Sequence, residues 1–251
     1  MAVSMHIMHM LGILAVVFFI SMFLMCFFRE RLNNPIINPL MICACAAFFF
    51  SWNYAMFKHN GLRNGFMTFD NISPYICTII LLTPLMSKKL KDYAYSAIAM
   101  LSFGMFVAMF VSPEFEYIFN YHQDTKAIHV SEATCHLIMA IYGFYLILSN
   151  KVKVNMQSFR KAAVFIYASI GFGIFLNLAF HRSNFGMDMY GNYSIYFIDI
   201  FGSFEATLIA YLVGVLGTLV LGLLVGHFFD WLTRKEKPKI DFLPNEQENE
   251  E

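Results

Sequence analysis

Charged side chains are scarce in this chain: Asp, Glu, Lys and Arg make up 14% of its 251 residues, against about 25% in soluble domains. The formal net charge is zero, so bulk electrostatics gives no argument for binding nucleic acid or any other polyanion. Cysteine is sparse as well. Cys26, Cys43, Cys45, Cys77 and Cys135 are odd in number, lie in or beside apolar runs and lack CxxC spacing, which argues against a disulfide framework or a zinc ribbon. Cys43 and Cys45 are two apart, so on a helix they point about 200° from each other. No GxGxxG, P-loop, HExxH or GxSxG occurs, which removes the commonest nucleotide, zincin and hydrolase signatures. No internal repeat supports an inverted-repeat transporter.

Apolar residues take the place of charge, at 59% hydrophobic and 18% aromatic. With about 20 apolar residues needed per spanning helix, the runs near 7–28, 36–57, 71–87, 92–112, 129–149, 161–180 and 205–229 predict an all-α integral membrane protein with seven transmembrane helices. The third run is the shortest, and Pro74 and Pro84 near its ends suit a helix start and stop. Met1–Met10 has no basic n-region and the run after it is too long for a signal h-region, so the first span is expected to be retained. Residues 1–230 form one transmembrane domain in this reading. Residues 231–251 are a basic, then acidic tail without periodicity, expected to be disordered in the cytoplasm.

Basic residues set the expected orientation. Arg29, Arg31, Lys88, Lys89, Lys91, Lys151, Lys153, Arg160, Lys161, Arg234, Lys235, Lys237 and Lys239 fall on one side, and Lys58, Arg63, Lys126 and Arg182 on the other. By the positive-inside rule the rich side is cytoplasmic, which puts the amino terminus outside and the carboxyl terminus inside a multi-pass protein of the cell membrane. Seven of the eight histidines, all but His227, then lie on or near the outer side, and the Asn71-Ile-Ser73 and Asn192-Tyr-Ser194 sequons map there too.

The stretch Ile128–Asn150 is the most informative, being of spanning length yet carrying His129, Glu132 and His136 on one stripe that continues through Ala140 and Gly143. An ionisable group inside a bilayer faces protein or water and is by default a functional-site hypothesis. Cys77 lies six residues inside span three and His136 seven inside span five, both ~10 Å below the outer edge at 1.5 Å per residue. A thiol beside an imidazole is a nucleophile–base pair, whereas a buried cysteine is commonly an inert small hydrophobe. Cys77 and His136 are therefore the candidate catalytic residues, with His9, Glu132, Asn177 and Asn184 as candidate substrate-binding groups at the same level. The spread of His129, Glu132 and His136 over ~10 Å of helix rise would strain a three-ligand zinc site, so metal is the lesser option and no metal ligand is assigned. The sequence leaves the cofactor unknown. In the last span, Gly214, Thr218, Gly222 and Gly226 recur every four residues, a small-xxx-small series for close helix packing. The aromatic stretch of Tyr190, Tyr193, Tyr196, Phe197, Phe201 and Phe204 suits an outer interface belt or a short re-entrant cap.

The chain resembles the YwaF-like family of small multispan bacterial membrane proteins. The likeness is carried by His9-Met10-Leu11 opening span one, by Ile72-Ser73-Pro74-Tyr75-Ile76-Cys77 with Leu81-Leu82-Thr83-Pro84 on span three, and by His136 on span five. Asn184-Phe185 and Asp199-Ile200-Phe201-Gly202 extend it. Tyr75 stands where that family has a histidine, Pro74 is displaced by one, and Ser203-Phe204-Glu205-Ala206 replaces its Pro-Trp-Pro-Trp run. The resemblance implies seven spans and an outward amino terminus. A distant vertebrate relative is proposed to be a phospholipid acyltransferase using a cysteine next to a histidine on the equivalent span; span three has no such pair here, and the Cys-His dipeptide of this chain, Cys135-His136, lies on span five. Two functions are thus expected as alternatives. One is a protein that binds or modifies membrane lipid by acyl-transfer-like chemistry in an outward-facing polar pocket formed by His9, Cys77, Glu132 and His136. The other is a non-enzymatic small-solute or ion-binding protein or transporter whose histidines bind protons.

Overall fold

The computed structural model describes residues 2–60, 72–111, 126–180, 198 and 200–233. Seven α-helices run through them: α1 (Ala2–Phe27), α2 (Ile37–Asn60), α3 (Ile72–Leu82), α4 (Lys88–Val111), α5 (Lys126–Leu148), α6 (Met156–Phe180) and α7 (Phe204–Thr233). Short 3₁₀ turns follow α1 at Arg29–Asn33 and α3 at Thr83–Leu85, and no strand occurs among the described residues. Each apolar run of the sequence holds one helix. The segments Ile37–Ala55, Val130–Leu148, Met156–Asn177 and Phe204–Leu232 are long and apolar enough to cross a membrane, which marks a membrane protein. The apolar stretches Gly12–Phe27 and Ile72–Leu85 are shorter.

Pro74 lies in the first turn of α3, where its missing N–H costs nothing, and Pro84 falls in the 3₁₀ turn that ends it. The Thr83 hydroxyl donates to the Ile80 carbonyl at 2.7 Å, satisfying an acceptor that the broken helix leaves over.

Helix α5 is the hub. Within Val130–Leu148, 67% of residues are buried, against 17–22% in the other three long apolar segments. Its packing against α4 and that of α4 against α7 depend on missing side chains. A Cβ on Gly143 would collide with Ser102 and with the Ile98 carbonyl of α4. One on Gly222 would run into the Met100 backbone, and one on Gly104 into Thr218 of α7. Gly226 abuts Val154 and Ile147. The small-residue series of the last span therefore packs as expected at Thr218, Gly222 and Gly226. It does not at Gly214, whose missing Cβ faces open space.

At the end rich in basic residues, Arg29 ties three elements together. Its guanidinium donates to the Leu148 carbonyl at 3.2 Å and to Asn150 Oδ1 at 3.2 Å, and lies 3.4 Å from the Asp230 carboxylate of α7. Asn150 adopts φ +56°, a left-handed cap that lets Val152 N–H reach the Leu146 carbonyl at 3.0 Å. A cation at this helix end also complements the helix dipole. Further in, Tyr142 donates to Asn38 Oδ1 at 3.2 Å and Asn38 donates to Tyr95 at 3.3 Å, linking α5, α2 and α4.

Candidate functional site

Ser73 and Cys77 are one turn apart on α3 and so share a face. Cys135 and His136 are neighbours on α5. The two faces meet: Ser73 Oγ lies 2.7 Å from His136 Nε2, and Cys77 Sγ lies 3.3 Å from Cys135 Sγ. Ser73, Cys77 and Cys135 are all buried, the two cysteines completely. Cys45 of α2 is also completely buried. Cys43 is exposed, so the two neighbouring α2 cysteines point in opposite senses as their spacing predicts.

The imidazole is held at both nitrogens. Nδ1 lies 2.9 Å from the main-chain carbonyl of Glu132. A carbonyl oxygen only accepts, so Nδ1 carries the proton and, in the neutral ring, Nε2 offers its lone pair to the Ser73 hydroxyl. Ser73 Oγ also lies 3.5 Å from Met105 Sδ, a weak second acceptor. A hydroxyl donating to an imidazole whose far nitrogen is fixed by a third group is the arrangement that activates a serine nucleophile.

Trp52 of α2 packs beside this pair, its ring 6.0 Å from that of His136 between centroids and tilted by 50°. Trp52 is buried, and its Nε1–H has no hydrogen-bond partner among the described residues. Leaving such a donor unsatisfied costs about 1–3 kcal/mol, so it is out of keeping with a site whose other polar groups are paired.

The expected residues distribute as follows. Cys77 and His136 both lie in the interface of α3 with α5, but the side chain at hydrogen-bond distance from Nε2 is Ser73, and the thiol of Cys77 meets Cys135. Glu132 is half-buried and positions His136 through its backbone carbonyl, a contact that any residue there would provide. Asn177 is buried on α6. His9 lies on α1 with its side chain outside the described residues, and the side chain of His129, Asn184 and most of the 231–251 tail lie outside them too. Among the described residues, no group of three His, Cys, Asp or Glu side chains is placed to hold a metal ion. The convergence they show is of Trp52, Ser73, Cys77, Cys135 and His136.

Three of those residues escape sequence reasoning. Ser73 was visible as the third residue of a sequon and as the residue one turn before Cys77, yet a serine in an apolar helix is ordinary packing material. Trp52 carries no sequence signal, whereas Cys135 could have been found from its place directly before His136. Comparison of the chain with protein-family models, with curated proteins and with solved structures finds no match.

Proposed function

We propose that the chain is a seven-span protein of the cell membrane, amino terminus outside and carboxyl terminus cytoplasmic, that binds a membrane lipid and transfers its acyl group through Ser73. The observation that carries this reading is the line from Ser73 Oγ through His136 to the Glu132 carbonyl, at 2.7 and 2.9 Å. The Ser73 hydroxyl gives its proton to Nε2 as Oγ bonds to the ester carbon. The imidazolium returns that proton to the departing alkoxide, leaving an acyl-serine. An acceptor hydroxyl or water then attacks this ester by the reverse sequence. The Trp52 N–H is the donor available for the oxyanion that forms on the carbonyl. The YwaF-like resemblance favours the same region of spans three and five, with Ser73 in the role first assigned to Cys77.

One observation favours the non-enzymatic alternative, a site that binds or senses protons. When the imidazole is protonated, Nε2–H donates to Ser73 Oγ and the hydroxyl turns to Met105 Sδ, so both protonation states have partners. Serine-directed labelling separates the two. In the full chain held in lipid nanodiscs, a fluorophosphonate probe is expected to modify the peptide containing Ser73. Labelling disappears in Ser73→Ala and His136→Ala and persists in Cys77→Ala. A folded protein that takes no label leaves the proton-binding reading. For the topology, a reporter after Glu251 reads cytoplasmic and a tag before Met1 reads extracytoplasmic; the opposite result removes the outer-side placement.

A further inference from the structure

On the other side of α3 from Ser73 a groove of about 680 Å³ runs between α3, the first turns of α4 and one face of α6. Ser73 and Tyr75 are two apart and so lie about 200° apart around the helix, which separates this groove from the Ser73–His136 pair. Tyr75, Ile79, Lys89, Phe165, Phe172 and Leu176 define its course. It follows α6 from Val164 to Leu176, which at 1.5 Å per residue is ~18 Å, close to half of the ~30 Å hydrocarbon core. Two of its polar wall groups answer each other: Tyr75 Oη and Ser169 Oγ are hydrogen-bonded at 2.6 Å. The slot therefore requires nothing polar along its length.

Charge is confined to one end. Lys89 lines the groove where α4 begins, and Lys88 beside it is exposed as Lys89 is. Asp92, one turn into α4, is neutralised by Lys161 of α6 at 2.5 Å, so the rim is left positive. We infer that this groove holds one acyl chain of an anionic glycerophospholipid from the leaflet on the lysine side, with the headgroup phosphate at Lys89. Bilayer tails are as apolar as the groove walls, so any lipid fills the slot and the headgroup decides which one stays. The inference rests on the membrane placement proposed above and not on the chemistry of Ser73.

Native mass spectrometry of the full chain released from phosphatidylcholine nanodiscs containing phosphatidylglycerol tests it. One phosphatidylglycerol is expected to be retained in preference to phosphatidylcholine. Lys89→Glu reduces that preference by about five-fold, the scale of one lysine at an anionic surface. Ala168→Trp, at an exposed position on the groove wall, abolishes retention of either lipid. Phosphatidylglycerol with a diazirine in its acyl chain crosslinks to 164–176 in the unmutated protein. Fluorophosphonate labelling of Ser73 is unchanged in both variants, so failure here is distinct from failure of the acyl-transfer reading. Equal retention of the two lipids, a preference untouched by Lys89→Glu, or crosslinks only outside 164–176 overturns the site.

Discussion

Helix α5 packs broadly on α4 and α2 and meets α3 at only a few side chains, and its contacts with α4 and with α3 are unlike. Toward α4 it presents Gly143 and the completely buried Ala140, and the contact is backbone on side chain with no room for a Cβ. Toward α3 it presents Cys135 and His136, and the contact is made by polar and thiol groups at 2.7–3.3 Å. In a bilayer the hydrophobic effect does not drive helices together, so close packing and interhelical hydrogen bonds share that work. The α4 seam uses the first and the α3 seam the second. A seam held by small residues has nothing to react. A seam held by an imidazole and a hydroxyl carries reactive groups as a consequence of how it is joined, and Trp52 of α2, with its unpartnered N–H, packs beside the His136 ring.

Mutations separate the two seams. Gly222→Leu is expected to have the largest effect, because the obstructing atoms belong to the Met100 backbone and cannot swing aside. Overpacking costs about 1–3 kcal/mol and sometimes more, and loss of the monodisperse peak in detergent reports it. Trp52→Phe comes next and acts on rate. Removing one oxyanion donor costs about 10²–10³-fold, while the fold, relieved of an unpaired buried N–H, melts no lower than the unmutated protein. A fall in both together would make Trp52 a packing residue. Third, a double-mutant cycle of Ser73→Ala with His136→Ala is expected to show coupling of about 0.6–1.7 kcal/mol, the range measured for hydrogen bonds between membrane helices. Additive losses would mean that the pair is not bonded. Gly214→Leu is the smallest, expected within about 0.5 kcal/mol because nothing lies within 4 Å of the added carbon.

The helices were legible in the sequence because each is written as one long apolar run with punctuation at its ends, Pro84 being the plainest. The opposite fates of Cys43 and Cys45 follow from their spacing alone, and the close approach at Gly222 from a four-residue repeat of small residues. What joins α3 to α5 was not legible. Which residue meets His136 depends on how far each helix is rotated about its axis, and α3 is apolar nearly all round, so no polar stripe fixes that rotation. Cys77 drew attention as the more reactive group. The structure puts Ser73, one turn before it, at Nε2. Glu132 holds His136 through its main-chain carbonyl, and such an atom leaves no trace in residue identity.

Acyl transfer through Ser73 is tested most directly by trapping the intermediate. The full chain in nanodiscs of phosphatidylcholine with isotopically labelled acyl chains is quenched in acid, and its peptides are weighed. The expected product is an oxygen ester on the peptide containing Ser73, absent in Ser73→Ala and His136→Ala and retained in Cys77→Ala. A hydroxylamine-labile thioester on Cys77 would contradict the assignment of the nucleophile, and no acyl adduct on either residue would contradict the chemistry itself.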